Sequence, residues 1–430
     1  SDMIKPDQAR RIYFVGIKGV AMAALAIWAK EAGKIVTGSD VAEEFPTDEE
    51  LKKVRIDVHE GFDGVHLVAF KPDLVIYTGA HGGRDNPQVL EAIKRGIASV
   101  PHGKALGLAM EGRRQISVAG SHGKTTTSAM IATILTQAGL DPSYAIGCGS
   151  IRGLGAAGHA GKGNWFVAEA DEYVTDPGHD ATPRFLWQKP EVLVVTNIDY
   201  DHPDVYFDLE AVQQAFVALQ RKSKLTIMNA DDPASSVLAS GENVETFGLS
   251  EKLSELKLQV AGVHNRLNAA AAAVVCERIG IAWDVIKQGL ERFGGTKRRL
   301  EKLGEVRGAR IYDDYAHHPK EIEATIAAIR TLHPKSRLIV VFQPHTYSRT
   351  KALLHDFSRA LAQADIALVT DIYASARETQ TEEGLARRLG GVYAPTRNDV
   401  SLWLAKELKA GDVIVFMGAG DIYQWARTMI

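Results

Sequence analysis

The sequence predicts an α/β protein of several domains built on largely parallel sheets. Short runs rich in β-branched and aromatic residues alternate with helical stretches from end to end. Those runs are apolar without polar alternation, as in strands buried on both faces. The length, 430 residues of ordinary globular composition with 45% hydrophobic and 24% charged residues, calls for two to four domains.

Ile12-Tyr13-Phe14-Val15 is the first strand, followed by glycines and an apolar helix over Val20 to Ala32. Ile35-Val36-Thr37 and Leu74-Val75-Ile76-Tyr77 repeat the strand signal. Ile116-Ser117-Val118 precedes a helix over Ser128 to Ala138. Trp165 to Ala168, Val192 to Thr196 and Leu225 to Met228 continue the series, and the alanine run after Asn268 reads as a close-packed helix. Leu338 to Phe342, Ile366 to Val369 and Val413 to Met417 complete it. Three blocks are expected, over residues 1–113, 114–295 and 296–430.

Composition excludes several classes. Lys+Arg total 50 against 53 Asp+Glu, a net charge of −3, so there is no bulk attraction to nucleic acid or to an anionic membrane. An anionic ligand must be held locally. The two cysteines, Cys148 and Cys276, form no CxxC pair and are expected as small buried apolar groups. The longest apolar runs fall short of the ~20 residues that span a bilayer, so no membrane insertion is expected. Ser1-Asp2 reads as an addition ahead of a native Met3, and no signal peptide follows. The expected location is cytoplasmic, and the near-neutral surface fits a monomer or a homodimer.

Gly120-Ser121-His122-Gly123-Lys124-Thr125-Thr126-Thr127 lies between a strand and a helix, the context a phosphate-binding loop requires. Glycines let backbone N–H groups approach phosphate oxygens, and the helix N-terminus adds partial positive charge. Lys124 can neutralise β- and γ-phosphates, and Thr125 or Thr126 can ligate Mg²⁺. The loop is a shortened form, with Val118 where a full Walker pattern has glycine. Glu169, in Val167-Ala168-Glu169-Ala170-Asp171-Glu172, stands at a strand end where it can hold a metal bridging phosphates. His202, after Thr196-Asn197-Ile198-Asp199-Tyr200-Asp201, is a second candidate ligand. Gly16-Ile17-Lys18-Gly19-Val20-Ala21, with Asp40 at the end of the next strand, resembles a dinucleotide-binding turn; this leaves open a nicotinamide-dependent oxidoreductase or a non-catalytic nucleotide-sugar binder.

Taken together, GSHGKTTT, EADEY, TNIDYDH, HNRLNAAAA, KRRLE, DDYAHHP and QPHTYSRT resemble the ATP-dependent Mur ligases of bacterial peptidoglycan synthesis, in family order over nearly the whole chain. DDYAHHP combined with QPHTYSRT is the specific part and resembles the alanine-adding branch. The resemblance implies a Rossmann-like N-terminal domain for a UDP-sugar, a central P-loop ATPase-like domain, and a C-terminal Rossmann-like domain that receives the amino acid and closes over ATP. It implies transfer of the γ-phosphoryl group of ATP to the lactyl carboxylate of UDP-N-acetylmuramate, then attack of the L-alanine amine on the acyl phosphate. Mg²⁺, or Mn²⁺, is the implied metal.

By the same resemblance, Gly16, Lys18, Gly19, Val20, Ala21, Ser39, Asp40 and His81 face the UDP-sugar. Gly120 to Thr126, Asn265, Asn268, Arg299 and Asp314 face ATP, and Thr125, Glu169 and His202 face the metal. Tyr315, His317, His345 and Arg349 shape the amino-acid site. Arg349 is a bidentate partner for a carboxylate, and His317 or His345 assists amine deprotonation. Phe216 stands where other branches carry a carbamylated lysine, so no carbamate is expected. EADEY continues through extra residues to Pro183, the stretch from Asp232 to His264 is short, and Thr346 replaces an expected arginine. The tyrosine of EADEY resembles the recycling branch, which joins UDP-N-acetylmuramate to L-Ala-γ-D-Glu-meso-diaminopimelate. That branch remains the alternative for the amine.

Overall fold

The computed structural model describes residues 4–374, 378 and 381–430. The residues Ser1 to Met3, read above as an addition and a native start, lie outside them. The chain forms two compact units. The first comprises Ser1–Tyr200, Val205–Gln259 and Arg266–Thr296; the second comprises Asp201–Asp204, Val260–Asn265 and Lys297–Ile430.

The first unit carries two large sheets. The five-stranded one runs Val58–Glu60, Ile35–Asp40, Arg11–Val15, Leu74–Tyr77, Ala98–Pro101, parallel throughout. Successive connections leave Arg11–Val15 in opposite directions, which opens a crevice at the carboxyl ends of Arg11–Val15 and Leu74–Tyr77. The seven-stranded sheet runs Val244–Phe247, Leu225–Asn229, Val192–Val195, Arg114–Ala119, Trp165–Ala170, Ser143–Ile151, Gly155–His159. Its last pair is antiparallel. The extra residues after EADEY form a small antiparallel hairpin, Val174–Asp176 with Asp180–Pro183.

The helix Val20–Glu31 explains why these two sheets share a unit. It is apolar all round, with Met22 to Ala29 buried, so a single covered face would not suffice. It packs against Ser143–Ile151 and Gly155–His159 as well as its own sheet. The approach is close: a Cβ on Gly158 would lie 1.9 Å from the Ala24 carbonyl oxygen. At the rim, His159 Nδ1 lies 2.6 Å from Glu31 Oε2 and Nε2 lies 2.9 Å from Asp141 Oδ1. Ionised carboxylates only accept hydrogen bonds, so both ring nitrogens must donate and the ring is an imidazolium.

The second unit holds one six-stranded sheet, Glu301–Val306, Ala309–Asp314, Val413–Met417, Leu338–Phe342, Ile366–Val369, Val392–Tyr393, antiparallel only in its first pair. Leu338, Val340 and Phe342 pack on one face with Phe357, and Ile339 and Val341 pack on the other with Phe416 and Val400. Both faces are covered, which is why these strands read as continuous apolar runs. Cys148 and Cys276 are buried and unpaired with each other. Among the described residues, no helix is long and apolar enough to cross a membrane.

The bond from Glu31 is the largest cause that raises the His159 pKa, from an ordinary 6.5 to about 9. The stabilisation it adds is complete below about pH 6.5 and disappears as pH rises through about 9. Thermal melts across that window are expected to show a steeper loss of midpoint for the parent chain than for His159→Gln; parallel curves would assign His159 no part in the fold.

Candidate active site

The strand Arg114–Ala119 sits inside its sheet between Val192–Val195 and Trp165–Ala170, so its carboxyl end is flanked by two further strand ends. The chain leaves it through Gly120, at φ +135, where a Cβ would lie 1.9 Å from Thr196 Oγ1. Gly123, at φ +86, faces Asn268, whose Oδ1 would be 2.5 Å from an added Cβ. No side chain fits at either position. Between them the loop is pinned by the next strand end. The Ser121 N–H donates to the Asn197 carbonyl at 3.0 Å, and the His122 N–H donates to Asn197 Oδ1 at 2.8 Å. Thr196 Oγ1 and Asn197 Nδ2 donate to the His122 carbonyl at 2.5 and 3.0 Å. Ser121 Oγ accepts the Asp199 N–H at 2.8 Å, and His122 Nε2 stands 3.3 Å from Asp199 Oδ2.

The helix after this loop begins at Lys124, four residues earlier than the sequence pattern indicates, and no side chain caps it. Its first-turn N–H groups therefore face the loop, a ready anion site. Lys124 Nζ arches back to the Gly120 carbonyl at 2.6 Å and lies 3.5 Å from the buried carboxylate of Glu172. Thr125 Oγ1 donates to Glu169 Oε1 at 2.6 Å, and the other oxygen of Glu169 accepts the Gly147 N–H. Thr126 is buried in the same turn. One hydroxyl and one carboxylate this close form a hard oxygen donor pair, the chemistry that suits Mg²⁺ or Mn²⁺.

The N-terminal glycine turn lies at the crevice of the five-stranded sheet. Gly16, at φ +83, admits no Cβ, which would sit 2.3 Å from Thr78 Cγ2. Gly19 caps the helix that begins with Val20 and Ala21, without a side-chain bond. Two polar residues predicted to face a ligand are used internally. The Lys18 ammonium donates to the Val41 and Glu43 carbonyls at 3.1 and 2.8 Å and pairs with Asp48 at 3.5 Å. Asp40 is buried and accepts the Lys18 and Val41 N–H groups, each at 2.8 Å, with His81 Nε2 3.4 Å away. Burial raises the Asp40 pKa and these donors oppose it. Asp40 thus fixes the turn. Ser39 is buried and bonds the Gln88 amide.

In the second unit, Arg349 is buried, with Nε donating to Asp201 Oδ1 at 3.0 Å and Nη1 3.4 Å from His345 Nδ1. Its carboxylate partner is part of the fold, a partner that the sequence reading had not found. Asp201 is held well below the usual carboxylate range by His202, Arg349, His318 and His317, against the opposing effect of burial. His202, at φ +55, donates its backbone N–H to Asp201 Oδ1 at 2.8 Å. Burial pushes His317 down to about 4, so its ring is neutral near pH 7. His317 Nδ1 faces the Tyr315 carbonyl at 2.9 Å, which places the proton on that nitrogen. Its ring packs edge-on to Tyr315 and His345.

Asp314 is buried and accepts three donors of its own unit: the Leu300 and Ala316 N–H groups at 2.8 Å each, and Thr325 Oγ1 at 3.2 Å. It organises the loop that carries Arg299. Asn265 donates to the Ala261 carbonyl at 2.8 Å within the second unit, whereas Asn268 abuts Gly123 in the first. Phe216 is buried and packs edge-on against Phe185.

Among known proteins, residues 11–114 match the Mur ligase family catalytic domain, residues 118–254 the Mur ligase middle domain, and residues 298–420 the Mur ligase glutamate ligase domain. The chain is 36% identical to a UDP-N-acetylmuramate–L-alanine ligase of Desulfitobacterium hafniense, over 97% of this chain and 99% of that protein. It is also 36% identical to the protein of that name from Aquifex aeolicus, over 99% and 98%. A crystal structure of a UDP-N-acetylmuramate-alanine ligase from Thermotoga maritima superposes with a TM-score of 0.80 at 26% identity, covering 97% of this chain and 98% of that one. A murein peptide ligase from Psychrobacter arcticus shares the fold, with a TM-score of 0.75 at 24% identity over 98% of both chains.

Lys124→Met is expected to weaken binding of a non-hydrolysable ATP analogue by about tenfold or more, roughly 1.4 kcal/mol, with an unchanged melting profile. Calorimetric titration checks this. Unaltered affinity would remove the loop from nucleotide binding.

Proposed function

The chain belongs to the Mur ligase family, and we propose that it joins L-alanine to the lactyl carboxylate of UDP-N-acetylmuramate, with conversion of ATP to ADP and phosphate. The observation that carries the chemistry is the loop Gly120–Gly123 with Lys124 folded across it and Thr125 bonded to Glu169. Full-length relatives named for L-alanine ligation favour that amine over the murein tripeptide.

The reaction needs two displacements. A carboxylate oxygen of the sugar attacks the γ-phosphorus, the bond to the β-bridging oxygen breaks, and ADP leaves. The uncharged amine then attacks the acyl carbon, and the tetrahedral adduct expels phosphate. The first step brings two anions together and the second develops negative charge on the tetrahedral adduct, so the site must neutralise charge. Lys124 and the first-turn N–H groups of its helix do so from the protein. Thr125 and Glu169 are the donors within the first unit for Mg²⁺ or Mn²⁺, which when bound screens the phosphates. The turn at Gly16–Ala21 and the crevice beside it take the UDP-sugar, and His81 borders it through Asp40.

Tyr315, His317, His345 and Arg349 form the amino-acid site of this reading, on the second unit. His317, uncharged near pH 7, adds no positive charge to repel the alanine ammonium. Arg349 keeps the alanine carboxylate near its guanidinium, which Asp201 orients. We assign residues 1–113 to the sugar nucleotide, 114–295 to ATP and 296–430 to the amino acid. A cytoplasmic enzyme, monomeric or homodimeric, completes the proposal.

Phosphate release from ATP with UDP-N-acetylmuramate is expected with L-alanine and not with L-Ala-γ-D-Glu-meso-diaminopimelate. Turnover with the tripeptide alone would move the chain to the recycling branch. Arg349→Lys is expected to raise the KM for L-alanine about tenfold or more, because an ammonium cannot serve Asp201 and a carboxylate with a planar fork. An unchanged KM would take Arg349 out of the amino-acid site.

A further inference from the structure

Arg298 precedes the phosphate-facing candidate Arg299, yet the two are placed very differently. Arg298 is 5% exposed and its guanidinium is taken up within its own unit. Its Nε and Nη2 lie 3.0 and 3.3 Å from the two oxygens of Asp313, which is fully buried, and Nη2 also donates to the Gly418 carbonyl at 2.8 Å. Its guanidinium carbon is 5.3 Å from the Tyr315 ring centroid and 4.7 Å from that of Tyr423. This charge is paired, bridged to two strand ends and enclosed by aromatic rings.

The backbone around Arg299 is strained on both sides. Arg298 has φ +66 and Leu300 φ +44, left-handed values that a branched or long side chain disfavours. Three bonds hold that turn. The Arg298 N–H donates to Glu301 Oε2 at 2.9 Å, the Tyr315 N–H donates to the Arg298 carbonyl at 2.7 Å, and the Leu300 N–H donates to Asp314 Oδ2 at 2.8 Å. Arg299 projects from the middle of the turn, its guanidinium carbon 5.1 Å from the Tyr315 centroid. Strain this localised persists only where its surroundings over-determine it, and here the Arg298 side-chain anchor adds to those three bonds.

We propose that Arg298 is a positioning residue, anchored by Asp313 and the Gly418 carbonyl, that holds a strained turn and so aims the Arg299 guanidinium. The proposal rests on the reading of Arg299 as a contact to ATP phosphate. Arg298 therefore acts on nucleotide use through Arg299.

A double-mutant cycle tests this, with kcat and KM measured for ATP and for UDP-N-acetylmuramate in the full chain. Arg298→Met is expected to lower kcat/KM for ATP about tenfold and to leave the KM for UDP-N-acetylmuramate unchanged. In an Arg299→Met background the same change is expected to cost less than about twofold. Equal losses in both backgrounds would overturn the proposal and make Arg298 a general structural residue. An Arg299→Met variant with unaltered kcat/KM for ATP would instead sink the reading of Arg299 itself. Should Arg298→Met fail to fold, Arg298→Lys keeps a cation beside Asp313 without the planar fork, and the same cycle applies.

Discussion

The tight fit of the loop Gly120–Gly123 is the constraint from which the first unit's chemistry follows. Its glycines are pressed against Thr196 and Asn268, and its carbonyl and N–H groups are bound by Thr196, Asn197 and Asp199. A loop held this way cannot relax when an anion leaves, so its N–H groups stay oriented and little reorganisation accompanies binding. The same geometry sets Lys124 and Thr125 in the first helical turn, beside the acidic ends of the neighbouring strand. A Cβ at Gly120 would lie 1.9 Å from Thr196 Oγ1 and one at Gly123 2.5 Å from Asn268 Oδ1, so either replacement forces those atoms apart.

The second unit uses the same logic with different parts. Its residues Arg298, Leu300 and Thr346, at φ +66, +44 and +68, lie in left-handed backbone. Each such residue costs about 1–2 kcal/mol. They occur beside buried charges that are fully engaged: Arg298 with Asp313, Asp314 with three donors, Arg349 with Asp201. Pairs of this kind add little net stability, because desolvation offsets attraction. Their value lies in orientation, since a buried guanidinium with two fixed acceptors has one geometry. Arg298, Asp314 and Arg349 are thus each held in one orientation by partners of their own unit.

How much of this was legible beforehand depends on the range of the signal. Strands such as Leu338–Phe342 and Val413–Met417 were readable because both-face burial makes an uninterrupted apolar run. The phosphate loop was readable because its glycines, lysine and threonines are contiguous and the chemistry needs them in that order. The helix start at Lys124 was missed, since Lys-Thr-Thr-Thr has no apolar periodicity and is ordered by the loop before it. Asp201 as the partner of Arg349 was missed because the two are 148 residues apart and no local pattern links them.

By itself, then, the sequence determined the α/β class, the position of the phosphate loop and the kinds of side chain available to the reaction. These follow from local periodicity and from residues adjacent along the chain. Only the tertiary structure decided which polar groups face inward. Asp40 and Asp314 read as ligand contacts in a string of letters. In the fold each is buried and accepts backbone N–H groups of its own unit, donors that burial obliges to find an acceptor. That demand is set by which backbone segments meet in space, so it cannot be read from the order of residues.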